Sequence, residues 1–109
     1  MRTRPSNQRE PAAQRQITAV DTPRGEFPVY IEIGIPYRIS ADEWACPVAL
    51  TGLHNQLHDM HGNDSFQALM LAQNLAKTLL FAFVEDGGRL LHAPGGAEID
   101  VQRLFTSGV

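Results

Sequence analysis

DSFQALMLAQNLAKTLLFAFVEDGG, residues 64–88, decides the fold. Its apolar residues recur every three or four positions, the spacing of one helix face. Asp64 is a good N-cap, and Gln67 follows three residues on, as in a capping box. The pattern predicts a helix from Ser65 to about Glu85, roughly 30 Å long at 1.5 Å per residue. Gly87 and Gly88 stop it, since one of them can adopt the left-handed conformation. Leu69, Ala72, Leu75, Ala76, Leu79, Leu80 and Phe83 share one broad face, wide enough to lie across a sheet.

The residues before the helix change period. In FPVYIEIGIPY, residues 27–37, Phe27, Val29, Ile31, Ile33 and Ile35 alternate with Pro28, Tyr30, Glu32, Gly34 and Pro36. Period two places all five apolar side chains on one face of a strand. Pro28 and Pro36 cannot donate ladder hydrogen bonds and fit strand ends or an edge. RQITAV, residues 15–20, reads as a short strand anchored by Ile17, and DTPRGE, residues 21–26, as a turn. RISADE, residues 38–43, reads as a second turn. EWACPVALTGL, residues 43–53, alternates again, with Trp44, Cys46, Val48 and Leu50 on one face and Pro47 marking an edge or a bulge. These three strands form an antiparallel meander with one apolar face, which the helix covers. After the helix, RLLHA is a short strand candidate and PGG a turn. AEIDVQRLF is either a strand or a last helical turn.

The chain has 109 residues, enough for one domain. Residues 1–13 lack apolar periodicity and read as a disordered basic leader, leaving 14–109 as a single α+β domain. The net charge of −3 hides an asymmetry: residues 1–24 carry +3 and residues 25–109 carry −6. An acidic body argues against nucleic acid, whose phosphates repel it, and suits a basic protein partner. No run of eighteen apolar residues exists, so no membrane span is expected. The start of the chain lacks the apolar stretch of a secretory signal, and Cys46 is the single cysteine. The simplest setting is cytoplasmic.

Four groups could carry chemistry. Gly62, Asp64 and Ser65 stand in the G-x-D-S pattern at which carrier domains attach phosphopantetheine, with Phe66 where carriers have Leu or Ile. Carrier domains are four-helix bundles, however, and the period-two residues upstream cannot build one. The competing reading is a cap, with Ser65 filling the first helical position. His54, His58 and His61 could hold zinc if they shared a helix face, but Gly52, Asn55, Gly62 and Asn63 argue against a helix there. Extended chain would point His58 away from His61. Cys46, among apolar neighbours, reads as a buried and inert thiol. Met70 and Phe81 lie on the polar side of the helix, on nearly the same azimuth, among residues that include Asn74 and Lys77. Either the C-terminal segment around Leu104 and Phe105 covers them, or Met70, Asn74, Lys77 and Phe81 form a protein interface.

With Ile33-Gly34-x-Pro36, Cys46-Pro47 and Gly62-x-Asp64-Ser65-x-Gln67-Ala68-Leu69 in that order, the chain resembles a family of small bacterial proteins, domain of unknown function 6968. The resemblance spans about residues 15–105. It implies an α+β domain and no established activity, so it assigns no catalytic residue. The family's gene settings imply a role beside toxins or other small partners.

The expected fold is therefore α+β, an antiparallel sheet of three to five strands covered on one face by one long helix. The expected function is non-enzymatic binding of another bacterial protein, of immunity or antitoxin type, or self-association as a homodimer. No cofactor, nucleic acid or membrane is expected. The alternative is a carrier-like or metal-binding domain using Ser65 or His54, His58 and His61.

Overall fold

The computed structural model of the protein describes residues 11–106. Strand β1 (Ala13–Asp21) turns into β2 (Gly25–Ile33), and the two pair antiparallel from Ala13↔Ile33 to Asp21↔Gly25. The turn is fixed by its own chemistry. The Arg24 backbone N–H donates to Asp21 Oδ1 at 2.8 Å, the guanidinium donates to Oδ2 at 2.7 Å, and Gly25 takes φ +69°. These Arg24 hydrogen bonds hold the Asp21 carboxyl below the usual carboxylate range. Arg24 also lies over the Phe27 ring, 3.8 Å from its centroid. Strand β1 begins at Ala13, two residues before the expected start and inside the span assigned to the leader; residues 1–10 of that leader lie outside the described residues.

The alternation in β2 holds through Ile33 and then fails. Val29, Ile31 and Ile33 are buried, but Ile35 is 51% exposed. The strand ends at Ile33, and Tyr37–Ser40, of which 38–40 were expected to be turn, forms β3 instead. The next run also divides, into β4 (Glu43–Cys46) and β5 (Val48–Thr51), at Pro47. One contact explains both breaks. The Gly34 N–H donates to the Pro47 carbonyl at 2.9 Å, and Pro36 and Pro47 have no N–H to continue the ladder. On one side of this contact β2 pairs with β5; on the other β3 pairs with β4. A single long hairpin is thereby bent into two sheets. The first has the order β5-β2-β1-β7 and the second β3-β4-β6, where β6 is Met60–Gly62 and β7 is Arg89–Leu91. All the pairings are antiparallel. The class is α+β as expected, with the strands shared between two sheets rather than one.

Helix α1 spans Ser65–Glu85, as its pattern requires. Asp64 Oδ1 accepts from the Gln67 N–H at 2.8 Å, and Gln67 Oε1 accepts from the Asn63 N–H at 2.7 Å. The reciprocal bond of the capping box therefore lands one residue before the cap. At the other end Gly87 takes φ +105°, while the Gly88 N–H donates to the Phe83 carbonyl at 3.0 Å. The helix touches β6, β4, β5, β2 and β7, so it braces both sheets. Its start sits very close to β6: a Cβ on Gly62 would lie 2.6 Å from the Ala68 nitrogen.

The face turned to the sheets is built on Ala68, Ala72, Ala76 and Leu80, all fully buried. Leu69, Leu75, Leu79 and Phe83 flank it, half-buried. Ala68 belongs to this stripe although the apolar pattern alone begins it at Leu69. By length and composition α1 is apolar enough to cross a bilayer, although polar residues such as Gln73, Asn74 and Lys77 interrupt its apolar run. In this fold its buried stripe is taken up by the two sheets. Beyond β7, Leu91 forms a bridge with Glu98, and the Ile99 N–H donates to the Leu90 carbonyl at 2.7 Å. A short helix, α2 (Val101–Leu104), follows, capped by Asp100. The ambiguous segment thus supplies one bridge and then a helical turn.

Candidate functional site

The four residues of the expected interface lie on α1 but do not share one environment. Met70 is 44% exposed and Asn74 is exposed, whereas Lys77 and Phe81 are half-buried. Phe81 packs against the core cluster, and the Lys77 ammonium stands 5.9 Å from its ring centroid, the outer range of a cation–π contact. Leu104 and Phe105 pack on the core and line a cleft beside Asn74 and Lys77. Met70 remains open to solvent.

Two exposed apolar groups escaped the sequence reading. Phe66 is 71% exposed, the most open large apolar side chain among the described residues. It precedes Met70 by one helical turn, and Val84, also exposed, lies on the same stripe. The i, i+4 spacing of Phe66 and Met70 was the available signal. The second group is Ile35, just before the edge strand β3, with Tyr37 and Ile39 on it. Here the signal was the pair of prolines, which end the inward alternation at Gly34.

The other candidates separate. His61 Nδ1 lies 2.7 Å from Glu43 Oε2, joining β6 to β4. The His54 N–H donates to the Leu50 carbonyl in the turn after β5, and His58 is exposed in the following loop. Among the described residues no group of three or more His, Cys, Asp or Glu side chains is placed to hold a metal. Ser65 is exposed at the first helical position, and Asp64 is engaged as the cap. The two-sheet fold lacks the four-helix frame of a carrier domain.

Cys46 is fully buried, and its thiol donates to the Gly34 carbonyl at 3.4 Å. Burial, helped by the nearby Asp59 carboxylate, pushes the thiol up to about 11. Such a thiol is a poor nucleophile at neutral pH. Asp59 in turn accepts a hydrogen bond from the Tyr37 hydroxyl.

The residue order behind these features matches a known family. The model of a domain of unknown function, DUF6968, covers residues 13–101. The chain belongs to the DUF6968 family. Comparison with curated proteins and with solved structures gives no match. The DUF6968 match runs from the first residue of β1 to the first residue of α2, so it takes in both sheets and α1.

Proposed function

We propose that this DUF6968 protein is a non-enzymatic protein-binding domain that docks a partner on the outer face of α1. The docking stripe is Phe66, Met70, Lys77, Phe81 and Val84, with Asn74 at its margin. One observation carries the reading: α1 seats Ala68, Ala72 and Ala76 against the sheets while Phe66, Met70 and Val84 stand exposed. A fully buried Phe contributes about 2–3 kcal/mol relative to an exposed one, and α1 leaves that contribution unused at Phe66. Single exposed apolar residues are ordinary on monomers, but an aligned set on one stripe fits an interface. The partner is another bacterial protein with a basic surface, because residues 25–109 carry a net charge of −6. An immunity or antitoxin role in the cytoplasm is one specific form of this reading.

The test uses the full chain. The tagged protein is purified from its native host, co-purifying proteins are identified, and the experiment is repeated with Phe66→Asp and Met70→Asp. The expected result is one basic partner, bound stoichiometrically by the parent and lost from both variants. The variants should melt within about 2 °C of the parent, since each site is exposed. A partner retained equally by both variants overturns the reading. Dimerisation through the same stripe would appear as a variant-sensitive shift in sedimentation and would identify the partner as a second copy.

A further inference from the structure

We infer that the cleft between β1, α1 and α2 binds a small organic anion with an apolar tail. The cleft encloses about 400 Å³, within the range of small-ligand sites. Its floor is Ile31 and Ile33 of β2, each 7% exposed, and Leu104 and Phe105 of α2 and its C-cap form one wall. Two cations reach it from opposite elements, Arg15 from β1 and Lys77 from α1.

Arg15 is the informative residue. Along β1, positions 13, 15, 17 and 19 share the side that faces the core. Ile17 and Ala19 on that side are buried at 1% and 0% exposure. Arg15 occupies the next core-side position yet is exposed, because the cleft opens there. Its register partner is Ile31, so its side chain leaves the backbone beside the apolar floor. A long cationic side chain at the end of a sheet can simply extend to water. Lys77 decides against that bland account. Two of the six Lys and Arg among residues 11–106 line this one cleft, and none of the eleven Asp and Glu does. Glu32, the acid nearest in β2, alternates with Ile31 and Ile33 and so stands on the opposite face of the sheet.

The two ion pairs among the described residues are Arg24–Asp21 and His61–Glu43. Neither Arg15 nor Lys77 is therefore neutralised by a carboxylate there. Arg15 Nη2 lies 3.5 Å from Nδ1 of His92, a ring outside the cleft lining. The cleft is thus lined by two cationic side chains with no carboxylate partner among the described residues, beside an apolar floor, in a body that is otherwise acidic. That combination selects a carboxylate carrying an aliphatic or aromatic tail over a cation, a neutral lipid or a polyanion. The cleft shares Lys77 and Asn74 with the docking stripe on α1, but neither Phe66 nor Met70 lines it, so different substitutions test the two readings.

Octanoate is the probe, titrated into the full-length protein and followed by amide chemical shifts. Octanol and octylammonium serve as neutral and cationic controls. Saturable shifts at Arg15, Ile31, Ile33 and Lys77 are expected with octanoate, with much weaker response to octanol and none to octylammonium. Arg15→Gln and Lys77→Gln should each weaken octanoate binding by about fivefold or more, because each removes a charge-assisted contact. Both variants should keep the parent's spectrum elsewhere. Absence of saturation by octanoate, equal binding of octanol, or octanoate binding indifferent to both substitutions overturns the inference. Those outcomes would leave the partner capture test of Phe66 and Met70 untouched.

Discussion

The two faces of α1 invert the usual distribution of side-chain size. The inner stripe is Ala68, Ala72, Ala76 and Leu80, buried without remainder, while the outer stripe displays Phe66, Met70 and Val84. Small residues inside let the helix axis come close to both sheets, as the Gly62–Ala68 approach shows. Phe66, Met70 and Val84 fill no part of this chain's core. The lesson is that burial here follows backbone proximity rather than hydrophobicity. The inner face is constrained by available volume, whereas Phe66, Met70 and Val84 meet no such constraint from the described fold.

The sharpest way to break the comparison is to enlarge an inner residue. Ala72→Leu adds three carbons at a fully buried position and should destabilise by about 1–3 kcal/mol or more, through forced rotamers and helix displacement. Urea denaturation measures this directly. A near-parent midpoint would mean that α1 is not seated as closely as described. Gly62→Ala probes the same closeness from the β6 side. Its new Cβ would meet backbone, the Ala68 nitrogen at 2.6 Å, which cannot rotate away. A loss of roughly 1–3 kcal/mol is expected, in the range of overpacked sites. Rescue of Gly62→Ala by a substitution on the outer face of α1 would contradict the geometry.

Much of this architecture was readable because the relevant signals are local. Asp64, Gln67 and Gly87 fix both ends of α1 through hydrogen bonds to nearby backbone, so the helix limits were legible to the residue. The inward residues Val29, Ile31, Ile33, Val48 and Leu50 were legible from alternation. The division into two sheets was not, because the Gly34–Pro47 contact joins residues distant in sequence. Alternation continues through Ile35 as if the strand did. The size inversion on α1 was missed for a related reason. Hydrophobic period locates a face, but the choice of Ala68 over Leu69 as its centre depends on how near the sheets come. Of the cleft residues, Asn74 and Lys77 stood out on the helix pattern only as members of an expected protein interface, whereas Arg15 joins them in the cleft lining only through the fold.

The cap gives a smaller, local effect. Asp64→Ala removes the acceptor of the Gln67 N–H and should cost about 1 kcal/mol. Asp64→Asn should recover most of it, because the amide oxygen can accept the same bond. Equal loss in both variants would indicate that charge rather than capping is what Asp64 supplies. Cys46 tests the burial of the second sheet against the helix through pH. Its thiol is raised from 9.0 to about 11, so the unfolded chain loses the proton first. Stability is then full below pH 9 and declines as pH rises toward 11. Other groups titrate in that window, so the measurement is the difference between the parent and Cys46→Ala. The parent's urea midpoint should fall more steeply between pH 9 and 10.5. Parallel curves would show a thiol that water reaches.

The smallest expected effect is the most discriminating for the outer face. Phe66→Ala removes a large apolar side chain that is 71% exposed, so little burial is lost and the helix gains a better helix former. Its stability should stay within about 0.5 kcal/mol of the parent, the usual range for surface sites. Set beside Ala72→Leu, this reverses the intuition that removing a phenyl ring harms a fold and adding an isobutyl group helps it. A cost at Phe66 as large as that at Ala72 would mean that the ring is covered, either by a second copy or by another part of the chain. Repeating the measurement over a hundredfold range of protein concentration separates those two. A midpoint that rises with concentration in the parent, and not in Phe66→Ala, assigns the cover to a second copy; a concentration-independent cost assigns it to the chain itself.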